Sequence, residues 1–147
     1  MAHLIKQSVI ISAVGAISLL FVGCGESKVA QCNKIITVTN KLVKINQEEG
    51  KNAQTKKDAQ SFNQFATKLD EVTKELKAVE VQDEKLKVFQ IGFVAVYEDL
   101  SQNLKDAANA INKQNPQAIN SISIKKRKNS GDSSSLVKEM NNYCASN

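Results

Sequence analysis

Histidine, tryptophan and proline are nearly missing from this chain, and their absence excludes several kinds of site. The 147 residues include one histidine, one proline and no tryptophan. The histidine is His3, inside an amino-terminal segment that we expect to be removed. The remaining chain cannot build a Ser-His-Asp or Cys-His catalytic group, and it lacks the commonest nitrogen ligand for zinc, copper or haem iron. Because it also has no CxxC pair and no glycine-rich phosphate loop, we expect no enzyme, no metal and no cofactor.

Glycine and aromatic residues are scarce as well, while lysine, glutamine, asparagine, alanine and glutamate dominate, a balance that favours amphipathic helices. The formal net charge is +5, and most of the excess lies in Lys125-Lys126-Arg127-Lys128. We interpret this run as the solvated end of a helix. One alternative is contact with anionic lipid headgroups, worth about 1 kcal/mol per cation near a charged surface. Nucleic-acid binding is a further alternative, and the absence of nearby aromatic residues argues against it.

The amino terminus has the pattern of an export signal. Lys6 precedes an apolar run at residues 9–22, and no acidic residue occurs before Glu26. The run is shorter than the roughly 20 apolar residues that a permanent membrane-spanning helix needs. It ends in Leu20-Phe21-Val22-Gly23-Cys24, which resembles a bacterial lipobox apart from Phe21. We therefore predict a signal peptide at residues 1–23, a lipidated Cys24 and a linker at 24–28; an export signal that merely contains a cysteine is the alternative.

The three cysteines agree with this prediction. An odd number in an exported protein needs an explanation, and lipidation of Cys24 leaves Cys32 and Cys144 as one pair. In an oxidising compartment we expect a disulfide between them, the alternative being two buried thiols. The predicted location is the periplasmic side of a membrane. Gly25, in place of aspartate, lacks the inner-membrane retention signal of some bacteria, but the choice between inner and outer membrane stays open.

Residues 29–147 form the predicted domain, and three helices follow from hydrophobic spacing. The first covers residues 27–49 and ends at Gly50, followed by a polar turn through Thr55. Its predicted buried stripe is Val29, Cys32, Ile36 and Val43, widened by Ile35, Leu42 and Ile45. β-branched residues at 35–39 leave a strand as the competing prediction. The second helix covers residues 56–79, and the third covers 83–113, where apolar positions recur every seven residues.

The fourth helix is predicted to begin after Asn115-Pro116, an N-cap followed by proline at the first helical position. Its pattern is interrupted at residues 129–135, a Gly- and Ser-rich stretch typical of a loop, and returns at Leu136, Met140 and Tyr143. It is therefore either one interrupted helix or two short ones. We predict an all-α, up-down antiparallel four-helix bundle closed by a disulfide between its terminal regions. A three-helix core with a tethered tail is the alternative.

Three segments carry a resemblance to a family. They are Gln31-Cys32-Asn33-Lys34-Ile35-Ile36, then Asp83-Glu84-Lys85-Leu86-Lys87-Val88-Phe89-Gln90 leading to Tyr97, and finally Asn142-Tyr143-Cys144. Together they resemble small uncharacterised lipoproteins of cyanobacteria. The resemblance implies a helical periplasmic domain with paired terminal cysteines, and it implies no activity. The stretch at residues 125–135 departs from the compact fourth helix of that group.

These observations predict a non-catalytic binding or scaffold module, anchored to a membrane and bound to another component of the cell envelope, most simply a protein. The alternative is a carrier that holds a small apolar ligand between helices near Gly92, Phe93 and Tyr97. The simpler interpretation of those three residues is that they pack in the core and that Gly92 allows a neighbouring helix to approach closely. A third hypothesis is an enzyme that acts through paired carboxylates such as Glu98 and Asp99. We favour it least, because such pairs beside lysines are typical of a solvated helix surface.

Overall fold

The computed structural model describes residues 25–115 and 133–146. Within these ranges the chain is all-helical, with four helices and no strand. The predicted all-α class is confirmed there, and residues 35–39 are helical despite their β-branched side chains. The predicted signal peptide, Cys24, the predicted start of the fourth helix and the basic run at 125–128 lie outside the described residues.

Helix α1 spans Lys28–Lys56 and is longer than predicted. It begins directly after Ser27, whose hydroxyl accepts a hydrogen bond from the backbone N–H of Ala30 at 3.2 Å. It ends at Lys56 and is capped by Lys57, which adopts the left-handed conformation with φ 52°. The predicted end at Gly50 and the predicted polar turn after it were therefore wrong.

Packing explains why Gly50 does not end α1. A glycine in a helix interior costs about 1 kcal/mol relative to alanine, which is too little to break a helix that is held from outside. Gly50 is buried, and a Cβ atom built on it would lie 3.7 Å from the Phe65 ring. Ala53, one turn further on, is also buried. Contacts with the next helix thus continue beyond the glycine.

The buried face of α1 also differs from the predicted stripe. Cys32 is almost fully buried as predicted, but Val29 and Val43 are 56% and 50% exposed. The centre of the buried face is formed by Ile35 and Leu42, which are at most 1% exposed. Because a helix turns about 100° per residue, a stripe one position away lies on the flank of the face.

Helix α3, Glu84–Asn112, agrees with the prediction, and so does the end of α2, Ala59–Ala78; the predicted start of α2 at Lys56 was wrong, because Lys56 still belongs to α1. Asp58 caps α2 by accepting a hydrogen bond from the backbone N–H of Ser61 at 2.7 Å. Asp83 caps α3 in the same way through Leu86 at 2.9 Å. Both caps satisfy a backbone donor that has no partner within its helix.

Residues 133–145 form the last described helix, α4. The return of helical spacing at Leu136, Met140 and Tyr143 is confirmed, and Met140 is only 2% exposed. The predicted loop was wrong at Ser133, Ser134 and Ser135, which already belong to α4. Contacts that bury Leu136 and Met140 override the weak preference of serine for turns.

The core lies around α2, which packs against both α1 and α3, whereas α1 and α3 hardly touch each other. Helix α4 contacts both α1 and α3. Its Leu136 lies against Gly92 of α3, and its Cys144 is bonded to Cys32 of α1. The largest fully buried side chains come from the first three helices and are Phe93, Ile35, Leu42, Leu69, Leu76 and Leu86.

Candidate functional site

A disulfide joins the first turns of α1 to the last turn of α4. It connects Cys32 and Cys144, whose Cα atoms are 6.1 Å apart and which are separated by 112 positions in sequence. This confirms the pairing predicted from the cysteine count. Cys32 is 1% exposed, so the bond forms part of the core. We call this part of the molecule the disulfide end.

A buried glutamine links three segments at the disulfide end. The side-chain oxygen of Gln31 accepts hydrogen bonds from the backbone N–H groups of Gln82 and Asp83 at 2.6 and 3.0 Å. Its side-chain amide donates to the carbonyl oxygen of Glu26 at 2.7 Å. Gln31 is only 4% exposed and uses both ends of its side chain, as buried polar groups must. The residues before α1 are thus fixed to the turn between α2 and α3.

Asp83 connects the same turn to α4. The Tyr143 hydroxyl donates a hydrogen bond to its carboxylate at 2.7 Å. The hydrogen bond from the Leu86 backbone N–H, followed by the one from Tyr143, lowers the pKa of Asp83. The same carboxylate raises the pKa of Tyr143. This contact therefore favours an ionised Asp83 and a protonated Tyr143 at neutral pH.

Aromatic and cationic contacts complete the disulfide end. The rings of Tyr143 and Phe89 are 6.0 Å apart, and the Lys28 ammonium lies 4.9 Å from the centre of the Tyr143 ring. Lys28 also donates a hydrogen bond to the Ser146 carbonyl. All three sequence segments that carry the family resemblance therefore contribute to this cluster. The three segments lie far apart in the sequence, and nothing in their spacing indicated that they meet.

The residues proposed as a ligand or packing site have different surroundings. Gly92 faces α4, and a Cβ built on it would lie 3.0 Å from a methyl group of Leu136. Phe93 is fully buried. Tyr97 is half-buried, and its ring is stacked 6.4 Å from that of Phe93. Gly92 and Phe93 are thus engaged in packing. Of the three residues, it is Tyr97 that lines an open groove.

This groove, here named the Tyr97 groove, lies between α1, α3 and α4 with α2 beneath it. Its volume is about 330 Å³. Burial raises the pKa of Tyr97, and a hydrogen bond with Ser133 of α4 acts in the opposite direction. The residues that line the groove are Leu42, Val43, Asn46, Gln47, Leu69, Val96, Tyr97, Leu100, Ser133 and Ser134. Sequence analysis identified only Tyr97, because the other residues come from four helices with no common motif.

Several carboxylates of the described residues are engaged by helix caps or by lysines. Glu98 forms an ion pair with Lys77 at 2.5 Å, and both side chains are about half exposed. Asp70 accepts hydrogen bonds from the Ser101 hydroxyl at 2.6 Å and the Lys105 ammonium at 2.7 Å. Burial is the largest single influence on Asp70 and opposes its ionisation, yet the bonds from Lys105 and Ser101 together lower its pKa. These arrangements hold helices together and do not aim a carboxylate into the Tyr97 groove.

Two further properties concern residues 25–115 and 133–146 alone. In these ranges no three histidine, cysteine, aspartate or glutamate side chains lie close enough together to hold a metal ion. No helix in them combines the length and the apolar character that crossing a bilayer requires. Cys24 and the basic run at 125–128, predicted to contact the membrane, fall outside these ranges.

The described chain thus defines an all-helical protein whose first and last helices are joined by a disulfide. No family model, curated protein or solved structure matches the sequence. The function has to be argued from the disulfide end and the Tyr97 groove.

Proposed function

We propose that this protein is a lipid-anchored, non-catalytic helical module of the bacterial cell envelope, held on the periplasmic side of a membrane through Cys24, that binds another envelope component. The proposal includes an up-down order of the four helices and kinship with the cyanobacterial lipoproteins that the sequence resembles. The observation that carries it is the Cys32–Cys144 disulfide. Stable disulfides are a property of proteins in oxidising compartments, and this one leaves no free thiol once Cys24 is acylated.

The position of α1 supports the anchor. Lys28 begins the helix four residues after Cys24. At 3.3–3.6 Å per residue, the intervening chain can span at most about 14 Å. Lipid on Cys24 would therefore hold the disulfide end close to the membrane surface. The hydrogen bond from Gln31 to Glu26 shortens the free tether further.

The contacts of α4 support the up-down order. Cys144, near the end of α4, is bonded to Cys32 near the start of α1. Ser133, at the opposite end of α4, lies with Val43 and Asn46 in the lining of the Tyr97 groove. These contacts are those expected when α4 runs antiparallel to α1, as in a bundle with an even number of alternating helices.

Intact mass spectrometry of the non-reduced protein from native membranes tests the anchor. We expect the mass of residues 24–147 plus lipid and minus two hydrogens, and a Cys24→Ser variant should lose the lipid. Reduction followed by alkylation should modify two thiols, those of Cys32 and Cys144. A full-length unlipidated mass would replace the proposal with a membrane-spanning anchor, and a cleaved lipid-free mass would replace it with a secreted protein.

Photo-crosslinking in intact cells tests the protein partner. A photoreactive amino acid at Ile91, which at 67% is the most exposed large apolar side chain of the described residues, should capture a defined envelope protein. The matched control is the same amino acid at Gln102, an exposed polar position on α3. Recovery of no partner, together with an apolar small molecule in native extracts, would contradict this role in favour of the second one.

The second candidate function is a carrier of a small apolar ligand. The observation that favours it is the Tyr97 groove, whose apolar floor and few polar groups are typical of small-molecule sites. Extraction of the native protein with organic solvent, followed by mass spectrometry, should then release one stoichiometric molecule. A protein that yields none would contradict the carrier function.

A further inference from the structure

We infer that the Tyr97 groove selects an uncharged amphiphile, a short apolar chain or ring that ends in a hydroxyl or carbonyl group. This inference rests on the carrier function. It names the chemical class of the ligand and the residues that would hold each part of it.

The floor of the groove is apolar and rigid. Leu42 and Leu69 are at most 1% exposed, and both belong to the core cluster. Val96 of α3 and Leu100, one helical turn further on, form the adjoining wall. An apolar group that displaces water from the accessible side chains of Val43, Val96 and Leu100 gains roughly 25 cal/mol per Å² of area buried, and Leu42 and Leu69 beneath them are already ordered. The apolar part of a ligand would therefore lie on Val43, Val96 and Leu100.

Among the described residues, the rim is polar and carries no charge. Its hydrogen-bonding groups are the amides of Asn46 and Gln47 and the hydroxyls of Tyr97, Ser133 and Ser134. They can donate to a carbonyl oxygen or accept from a hydroxyl. A charged ligand group placed among them would lose its hydration without gaining an opposite charge, which is unfavourable. The rim therefore matches a neutral polar group.

Two other grooves differ in this respect. One, lined by residues of α1, α2 and α3, includes Glu49, Lys68 and Glu71. Another, lined by residues of α1 and the end of α2, includes Lys34 and Glu80. Charged residues make up 24% of the chain, yet within residues 25–115 and 133–146 none lines the Tyr97 groove. Its volume of about 330 Å³ fits a small molecule and is too small for a partner helix.

Photolabelling of the full-length protein in its native membrane tests the ligand class. The probes are a diazirine-bearing decanol and the decanesulfonate with the same diazirine, which differ only in their terminal group. Peptide mapping should find saturable labelling by the alcohol at residues 42–47, 96–100 and 133–134. Unlabelled decanol should compete, and the sulfonate should label these residues about tenfold less, because its charge is desolvated at the rim.

A pair of charge variants provides the structural control. Val43→Asp places a carboxylate at the edge of the groove, at a side chain that is 50% exposed and tolerates a charge. Val88→Asp places the same charge on α3 at a 59% exposed side chain outside the groove. Labelling by the alcohol should fall about tenfold in the first variant and remain unchanged in the second. Circular dichroism should show equal helicity in both.

The outcomes separate this inference from the carrier function. Equal labelling of the groove by the alcohol and the sulfonate would refute the uncharged class while leaving a carrier of apolar chains. Labelling of the groove by neither probe would refute both. Equal loss of labelling in the two variants would also overturn the inference, since the effect would then depend on net charge and not on the groove.

Discussion

Removal of the disulfide between Cys32 and Cys144 should destabilise the folded protein by several kcal/mol. The perturbation is Cys32→Ala with Cys144→Ala, which deletes the bond without leaving a reactive thiol. The bond closes a loop across 112 positions. In the chain-entropy model such a loop lowers the entropy of the unfolded chain enough to stabilise the folded state by about 4.8 kcal/mol at 25 °C.

The remaining contacts of α4 determine which parts of the variant lose stability first. Met140 and Leu136 stay packed in the double variant, and Tyr143 keeps its hydrogen bond to Asp83. We therefore expect the variant to fold but to unfold at much lower urea concentration, with α4 as the first part to lose protection from hydrogen exchange. Because the disulfide restricts the unfolded chain, its loss should also increase the denaturant dependence of the unfolding free energy.

Urea unfolding followed by circular dichroism is the assay, with the oxidised wild type as reference. The reduced wild type is the matched control, since it removes the same bond and keeps both sulfur atoms. A loss of roughly 3–5 kcal/mol in both forms would agree with the loop-closure argument. A loss below about 1 kcal/mol in both would refute it, and a large loss in the alanine variant alone would indicate packing of the sulfur atoms.

Three further predictions concern single positions. Gly50→Ala should stabilise the protein by about 0.5–1 kcal/mol in thermal unfolding, because the new methyl group meets only ordinary contacts. Gly92→Ala should bring no gain in stability, because Leu136 already lies 3.0 Å from the position of the new methyl group. Equal gains in the two variants would contradict the packing of α4 against Gly92. Gln31→Leu should cost about 1–2 kcal/mol in urea unfolding, since two part-buried backbone N–H groups lose their acceptor, and an unchanged midpoint would contradict the link that Gln31 makes between the three segments. The lowered pKa of Asp83 means that its ionised form stabilises the fold above the ordinary pKa of the group, and this contribution is lost as the pH falls below about 4 through the lowered value. NMR titration of a Tyr143→Phe variant should therefore show the pKa of Asp83 shifted upward, and no shift would contradict the hydrogen bond.

The hydrophobic period was sufficient to predict α2 and α3. In both helices apolar residues three and four apart describe one continuous buried face. The N-caps Asp58 and Asp83 were not part of that prediction. In α1 the same reasoning chose the wrong stripe. Ile35 and Leu42 were treated as its margin, yet they are its centre, because the rotation of α1 is set by α2 and by the disulfide.

The candidate site was only partly predictable. Tyr97 was identified as an aromatic residue at helical spacing, but whether such a residue lines a groove depends on how far apart its neighbouring helices stand. Gln31 had no signal beyond being polar near an apolar stripe. Its partners at Gln82 and Asp83 lie more than fifty positions away.

The sequence by itself determined the helical class of the described residues, the limits of α3, the end of α2, and the pairing of Cys32 with Cys144. Each of these follows from local spacing or from counting, so no knowledge of neighbours in space is required. Only the tertiary structure decided that α1 continues through Gly50, that Gln31 and Asp83 join three segments, and that a groove opens beside Tyr97 to which no charged side chain of the described residues contributes. These features depend on which helix faces meet and on how the helices are positioned along their axes. Packing contacts between distant segments outweigh local helix propensities, which differ by about 1 kcal/mol per residue.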